Sequence, residues 1–188
     1  MDNSFIVKTF RIKNLRCTST ILLLKDYLIQ SGFMVHDIKP GFLVVSKSSS
    51  DNQTQELKEI LSKYGLAILE SKEKQLIEDI KLAIYELIYQ LNNVNSIIQR
   101  SDYLVEKLGR SYQFLSKVFS EQENITLEKY IIQQKIQRVR ELIEEDEYTL
   151  SEIAYMMEYS SVQYLSNQFK KIIGISVSEY KKELFFNS

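Results

Sequence analysis

The chain has 188 residues, 44% hydrophobic and 26% charged, with a formal net charge of −1. That length suits one or two compact domains, and the composition is that of an ordinary soluble protein. One cysteine excludes an internal disulfide, no apolar run approaches the ~18 residues of a membrane span, and there is no basic excess of the kind that marks many nucleic-acid binders.

The elements begin with "TFRIKNL" (9–15), whose alternation puts Phe10 and Ile12 on one face of a half-buried strand. In "STILLLKDYLIQSG" (19–32), Ile21, Leu24 and Leu28 form one helical stripe, and Gly32 is placed to cap it. "FMVHDIK" (33–39) and "FLVVSK" (42–47) flank Pro40-Gly41 and predict a hairpin. A polar loop (48–54), an amphipathic helix (55–65) and a short strand (66–70) come next. The order β-α-β-β-α-β predicts an α+β domain over residues 1–70 with the ferredoxin-like arrangement, an antiparallel sheet with two helices on one face.

Residues 71–93 read as one helix, with Ser71 as a cap but Lys74 where a capping box needs an acid. Ile77, Ile80, Ile84, Leu87 and Leu91 follow 3-4-3-4 spacing, so this linking helix is a candidate homodimer seam; packing against its own chain is the alternative. "NNVN" (92–95) is the expected boundary, and residues 94–188 are expected to be all helix, with segments near 101–108, 112–122, 127–145, 150–157, 162–173 and 177–184.

This second region repeats itself. Sliding 103–130 onto 153–180 without a gap gives seven identities in twenty-eight positions, where about two are expected by chance. They are Ser111/Ser161, Gln113/Gln163, Leu115/Leu165, Ser116/Ser166, Phe119/Phe169, Ile125/Ile175 and Tyr130/Tyr180. Each copy is a short helix, a tight break and a second helix, with Thr126 and Ser176 placed to cap the helix after it. Leu115/Leu165 and Phe119/Phe169 form an inward stripe, which leaves Gln113, Ser116 and Lys117, and Gln163, Ser166 and Asn167, on the outward face. Amides suit adenine and lysine suits guanine, so these six are the candidate base readers. Arg110, Arg138, Arg140, Lys170 and Lys171 are the candidate phosphate contacts. The helix 127–145 between the copies would be about 28 Å long, near the ~34 Å between successive major-groove segments. Two copies would then read two half-sites of double-stranded DNA in tandem. The repeat and its outward residues equally allow a scaffold for protein contacts, as in an adaptor or metal-trafficking protein.

"LSEIAYMMEYSSVQYLSNQFKKIIGISVSEYKKE" (150–183) narrows that choice. With Ile153-Ala154, Tyr159, Ser161, Tyr164-Leu165, Ser166, Phe169-Lys170-Lys171, Gly174, Ser176 and Tyr180, residues 101–183 resemble the AraC-type DNA-binding module, a pair of helix-turn-helix units joined by a long helix. The resemblance implies a cytoplasmic transcriptional regulator, with the transcription machinery as a further partner and no enzyme activity or cofactor. The chain departs from the family pattern at Glu158, where the family usually has a turn glycine, and at Leu108, its equivalent in the first copy. It departs again at Leu104, Asn167 and Val177, where alanine, arginine and proline are common.

In the N-terminal domain, "RIKNLRCTST" (11–20) resembles the loop of heavy-metal-associated domains, which bind metal through a C-x-x-C pair. Cys17 stands at the first cysteine position but Thr20 at the second, and a soft ion wants two thiolates, so no metal site is expected. Cys17 is expected to be a small, partly buried residue and His36 a strand or surface residue. Met-Asp-Asn-Ser at the start lacks the basic and apolar regions of a signal peptide, and no nucleophile-base pattern or phosphate loop is present.

Overall fold

The computed structural model describes residues 6–48, 52–89 and 97–186, with the side chains of 97–100 and 185–186 left aside. The chain forms two compact units, 1–82 and 83–188. The expected linker "NNVN" and Leu91 lie outside the described residues.

The first unit runs β1 (Ile6–Lys13), α1 (Thr18–Gln30), β2 (Met34–Lys39), β3 (Phe42–Lys47), α2 (Gln53–Lys63) and β4 (Ala67–Ile68), then enters α3 (Lys72–Tyr89). The four strands form one sheet in the order β2-β3-β1-β4, and every neighbouring pair is antiparallel. A bulge in β2 between Val35 and Asp37 leaves His36 outside the ladder. There its Nε2 lies 2.7 Å from the hydroxyl of the buried Ser46. The predicted stripes face inward: Ile12, Leu24, Leu28, Leu43, Val45, Leu57 and Leu61 are fully buried in a single core, with Phe10 and Ile21 packed at its edge. Burying a Leu or Ile contributes about 1.5–3 kcal/mol, so a unit this small rests largely on these positions.

Gly41 in the β2–β3 turn is favoured by its backbone conformation. Its φ is +69°, and a Cβ there would meet the Leu82 side chain at 2.5 Å. At the β1–α1 loop, the buried Glu78 carboxylate accepts from the Asn14 N–H at 3.0 Å and from Arg16 at 2.9 and 3.1 Å. Arg11 pairs with Asp79. Ser71 caps α3 through the Lys74 N–H at 3.2 Å.

Cys17 corrects its expectation. It is exposed, and serves as the N-cap of α1. Its sulfur accepts from the Thr20 N–H at 3.4 Å and lies 2.9 Å from the Thr20 hydroxyl, so the residue standing in the second cysteine position is the partner of the first. The Thr20 hydroxyl and N–H hold the thiol below its ordinary pKa. Among the described residues, no three His, Cys, Asp or Glu side chains come together to hold a metal ion. No helix among them is long and apolar enough to cross a membrane.

The stripe on α3 is buried in the single chain: Ile77, Ile80, Ile84 and Leu87 are each at most 9% exposed. A homodimer through that seam would first have to uncover it, so the packing alternative describes these four residues.

The second unit continues through α4 (Ile97–Leu108), α5 (Tyr112–Glu123), α6 (Leu127–Glu145), α7 (Leu150–Met156), α8 (Val162–Ile173) and α9 (Val177–Phe186). Glu86 of α3 accepts from Tyr103 at 2.7 Å and pairs with Lys107, and Tyr89 donates to Glu141 at 3.1 Å. Along α6, Leu127 and Tyr130 are buried near its start, and Ile136, Val139, Leu142 and Ile143 belong to a core shared with α7 and α8.

Candidate nucleic-acid interface

Each repeat builds the same object from the same residues. Ser111 caps α5 by accepting from the Phe114 N–H at 3.3 Å, and Ser161 caps α8 by accepting from the Tyr164 N–H at 3.1 Å. Such caps are worth about 1 kcal/mol each and fix where the second helix begins. Leu115, Phe119, Leu165 and Phe169 are fully buried. Phe119 meets Tyr130 at 5.0 Å between ring centroids, and Phe169 meets Tyr180 at 5.5 Å. The four matched aromatics are therefore two equivalent pairs, each locking a second helix to the helix after it. Thr126 and Ser176 cap those next helices through Lys129 and Glu179.

The two turns differ. In the second, Glu158 has φ +57°, its N–H bonds to Tyr155 O at 3.0 Å, and the Tyr159 N–H bonds to Ala154 O at 2.8 Å, a Schellman closure. In the first, the left-handed residue is Gly109, at φ +62°, closed by one bond to Val105 O at 2.9 Å. The expectation that Leu108 occupies this place is corrected: Leu108 is the last residue of α4. The gapless alignment misplaced it because α4 runs further into its turn than α7 does.

The outward faces carry most of what was expected. Gln113, Lys117, Gln163 and Asn167 are exposed, whereas Ser116 and Ser166 are half-buried. Gln163 donates from Nε2 to Asn167 Oδ1 at 3.1 Å, so the two amides of α8 stand as a joined pair. Lys117 Nζ lies 4.0 Å from Glu121 on the solvent side of α5.

The five phosphate candidates divide. Arg110, Lys170 and Lys171 are exposed, and no carboxylate among the described residues lies within ion-pair reach of them. Arg138 is engaged within the unit. It pairs with Glu145 at 2.9 Å and Glu141 at 3.4 Å, and its guanidinium lies 5.3 Å from the Tyr89 ring centroid. Arg140 Nε lies 3.4 Å from Glu144, which also accepts from Tyr180. Burial and then the Glu144 hydrogen bond push the Tyr180 hydroxyl up to about 12. These two arginines bind the module together. The acidic residues three and four places on were the signal for that role.

Residue reasoning passed over Phe114 and Tyr164. They are equivalent in the repeat and exposed at 43% and 50% in the first turns of α5 and α8, beside the two glutamines. Their alignment as aromatics on an otherwise polar face was the available sign.

Residues 104–183 match the family model described as "Helix-turn-helix domain". The chain is 29% identical over 101 residues to the Msm operon regulatory protein of Streptococcus mutans. It is 30% identical over 80 residues to the Xylose operon regulatory protein of Escherichia coli K12. These matches take in 50% and 43% of this chain, and the chain spans only 36% and 20% of those relatives' lengths. In fold, it resembles a transcriptional regulator of Chromobacterium violaceum described as an AraC-type DNA-binding domain-containing protein. That likeness has a TM-score of 0.50 at 16% identity, covering 61% of this chain and 96% of the other. Residues 104–183 thus match a helix-turn-helix domain, in a fold similar to that of the Chromobacterium violaceum protein.

Proposed function

We propose that the chain is a sequence-specific transcriptional regulator whose two helix-turn-helix units read tandem major-groove half-sites of double-stranded DNA. One observation carries this. Two equivalent, separately capped helices, α5 and α8, present an exposed glutamine and a second long polar residue at matching positions. Between them α6 spans 19 residues, or about 28 Å. In this reading Gln113 and Lys117 contact one half-site, Gln163 and Asn167 the other, and Ser116 and Ser166 sit at the edges of the contact. Arg110, Lys170 and Lys171 neutralise phosphates, with few counterions released and a shallow salt dependence.

The N-terminal part is read as a ferredoxin-like unit over 1–70, similar to heavy-metal-associated domains but without their thiolate pair. The βαββαβ order and the β2-β3-β1-β4 sheet support that topology. Residues 71–93 link it to the DNA-reading part, 94–188. Its work would be sensing or docking, with the transcription machinery as the expected partner in the cytoplasm. Selection of genomic DNA fragments by the full chain at low salt tests the proposal. Enrichment of a defined sequence is expected, and none at low salt would overturn it.

A further inference from the structure

The two repeats differ at one reading position. Lys117 on α5 and Asn167 on α8 hold equivalent places, four residues after Gln113 and Gln163, and all four side chains are exposed. A lysine ammonium only donates hydrogen bonds, whereas an asparagine amide carries an acceptor as well as a donor. By side-chain type alone, the first helix would favour guanine at this position and the second adenine, so the two half-sites would differ.

The amide pair on α8 removes that difference. Gln163 Nε2 donates to Asn167 Oδ1 at 3.1 Å, across one turn of the helix. Asn167 Oδ1 is therefore turned toward its own helix, and Nδ2 is the group left for a base. Neither Asn167 Nδ2 nor Gln163 Oε1 has a hydrogen-bond partner among the described residues. Asn167 thus meets DNA as Lys117 does, as a donor alone. In the first unit Lys117 Nζ lies 4.0 Å from Glu121 Oε1, beyond hydrogen-bond length, so its donors stay available.

Donors alone sort the four bases. Guanine presents two acceptors, N7 and O6, and can take both Nδ2 hydrogens, whereas thymine presents only O4. Adenine sets its N6 amino group against the amide donor, and cytosine offers no acceptor on this edge. Gln163 keeps Oε1 and its second Nε2 hydrogen, the acceptor and donor that adenine needs.

We propose that Gln163, by engaging Asn167 Oδ1, sets the base specificity of Asn167 to guanine. Both helix-turn-helix units then select the same two bases, adenine for the glutamine and guanine for the residue four places on. The inference rests on the DNA-reading role proposed above and deepens it. Four residues of helix advance about 6 Å, so the two bases lie one or two steps of about 3.4 Å apart.

The test is selection of random duplexes by the full chain, as the parent, Asn167→Ala and Gln163→Leu. Asn167→Ala locates the base that Asn167 reads, because preference is lost there. In the parent that base should be guanine over adenine by at least ~10-fold, with cytosine weakest. Gln163→Leu removes the amide that holds Asn167 Oδ1, so the same base should turn to adenine over guanine. The first block should keep its pattern in both variants, which shows that they fold. Adenine preferred at that base in the parent, guanine still preferred in Gln163→Leu, or no base affected by Asn167→Ala would overturn the proposal and leave the regulator reading standing. No enrichment by the parent at low salt would overturn the regulator reading, and the proposal with it.

Discussion

The two turns give opposite answers to one question, and that makes a controlled experiment. Glu158 and Gly109 both hold positive φ, at +57° and +62°. A Cβ in the left-handed region costs about 1–2 kcal/mol, while glycine gives back roughly 0.4–1 kcal/mol through the freedom of its unfolded chain. Glu158→Gly alone would mix this balance with loss of the carboxylate, so Glu158→Ala is the proper reference: both lose the side chain, and only alanine keeps the strain. The glycine variant should exceed the alanine variant by about 0.5–1 kcal/mol. At Gly109 nothing lies within 4 Å of an added Cβ. Gly109→Ala therefore meets no clash, and should destabilise through φ alone by a similar amount. Scanning calorimetry of the full chain would read these as melting shifts of about 1–4 °C, upward for Glu158→Gly against Glu158→Ala and downward for Gly109→Ala. Equal melting of the two Glu158 variants would refute the claim that this turn is strained.

The same contacts fix further outcomes. Phe169→Ala removes a fully buried ring paired with Tyr180 and should cost about 3–5 kcal/mol in urea unfolding, as should Phe119→Ala in the first unit. A milder effect at Phe119 would show that the first unit collapses around the loss. Glu152, in the capping box with Thr149, is held below the ordinary carboxylate value of 4.5 by the Thr149 hydroxyl and N–H. Its folded pKa is depressed, so its stabilising contribution is present above 4.5 and disappears as pH falls through the lowered value. Glu152→Gln should flatten that acid limb, and an unchanged pH profile would contradict the cap. Alkylation of the exposed Cys17 should proceed with a midpoint below the ordinary thiol value of 9.0, and Thr20→Val should raise that midpoint. In a chelator competition the chain should show no tight one-to-one Cu(I) or Zn(II) site, and a tight site lost in Cys17→Ser would contradict this.

Much of the architecture was legible because it is written in periodicity. Alternation at Phe10 and Ile12 and the three- and four-residue spacing of Leu24 and Leu28 are local signals, and local signals place strands and helices. The caps at Thr126 and Ser176 were legible for the same reason, each acting on a backbone N–H three residues on, whereas the caps at Ser111 and Ser161 came only with the fold. What escaped depends on geometry that spacing does not encode. Arg138 and Arg140 looked like phosphate contacts until the fold brought Tyr89 to one and Tyr180, through Glu144, to the other. The α3 stripe has coiled-coil spacing because any helix buried along one face has it, and only packing tells the two apart. Cys17 reads as a small apolar residue by type, but the turn into α1 makes it a cap. The exposure of Gln113, Lys117, Gln163 and Asn167 was legible residue by residue, whereas the amide pair on α8 needed coordinates.

The central claim is that two equivalent helices each read their own half-site. Selection of random duplexes by the full chain, sequenced base by base for the parent, Gln113→Ala and Gln163→Ala, tests it most directly. The parent should enrich two short blocks about 10–10.5 base pairs apart. Each variant should lose preference in one block only, a different block for each, by about 1–3 kcal/mol at the base concerned. A single enriched block, or both variants relaxing the same positions, would contradict the account.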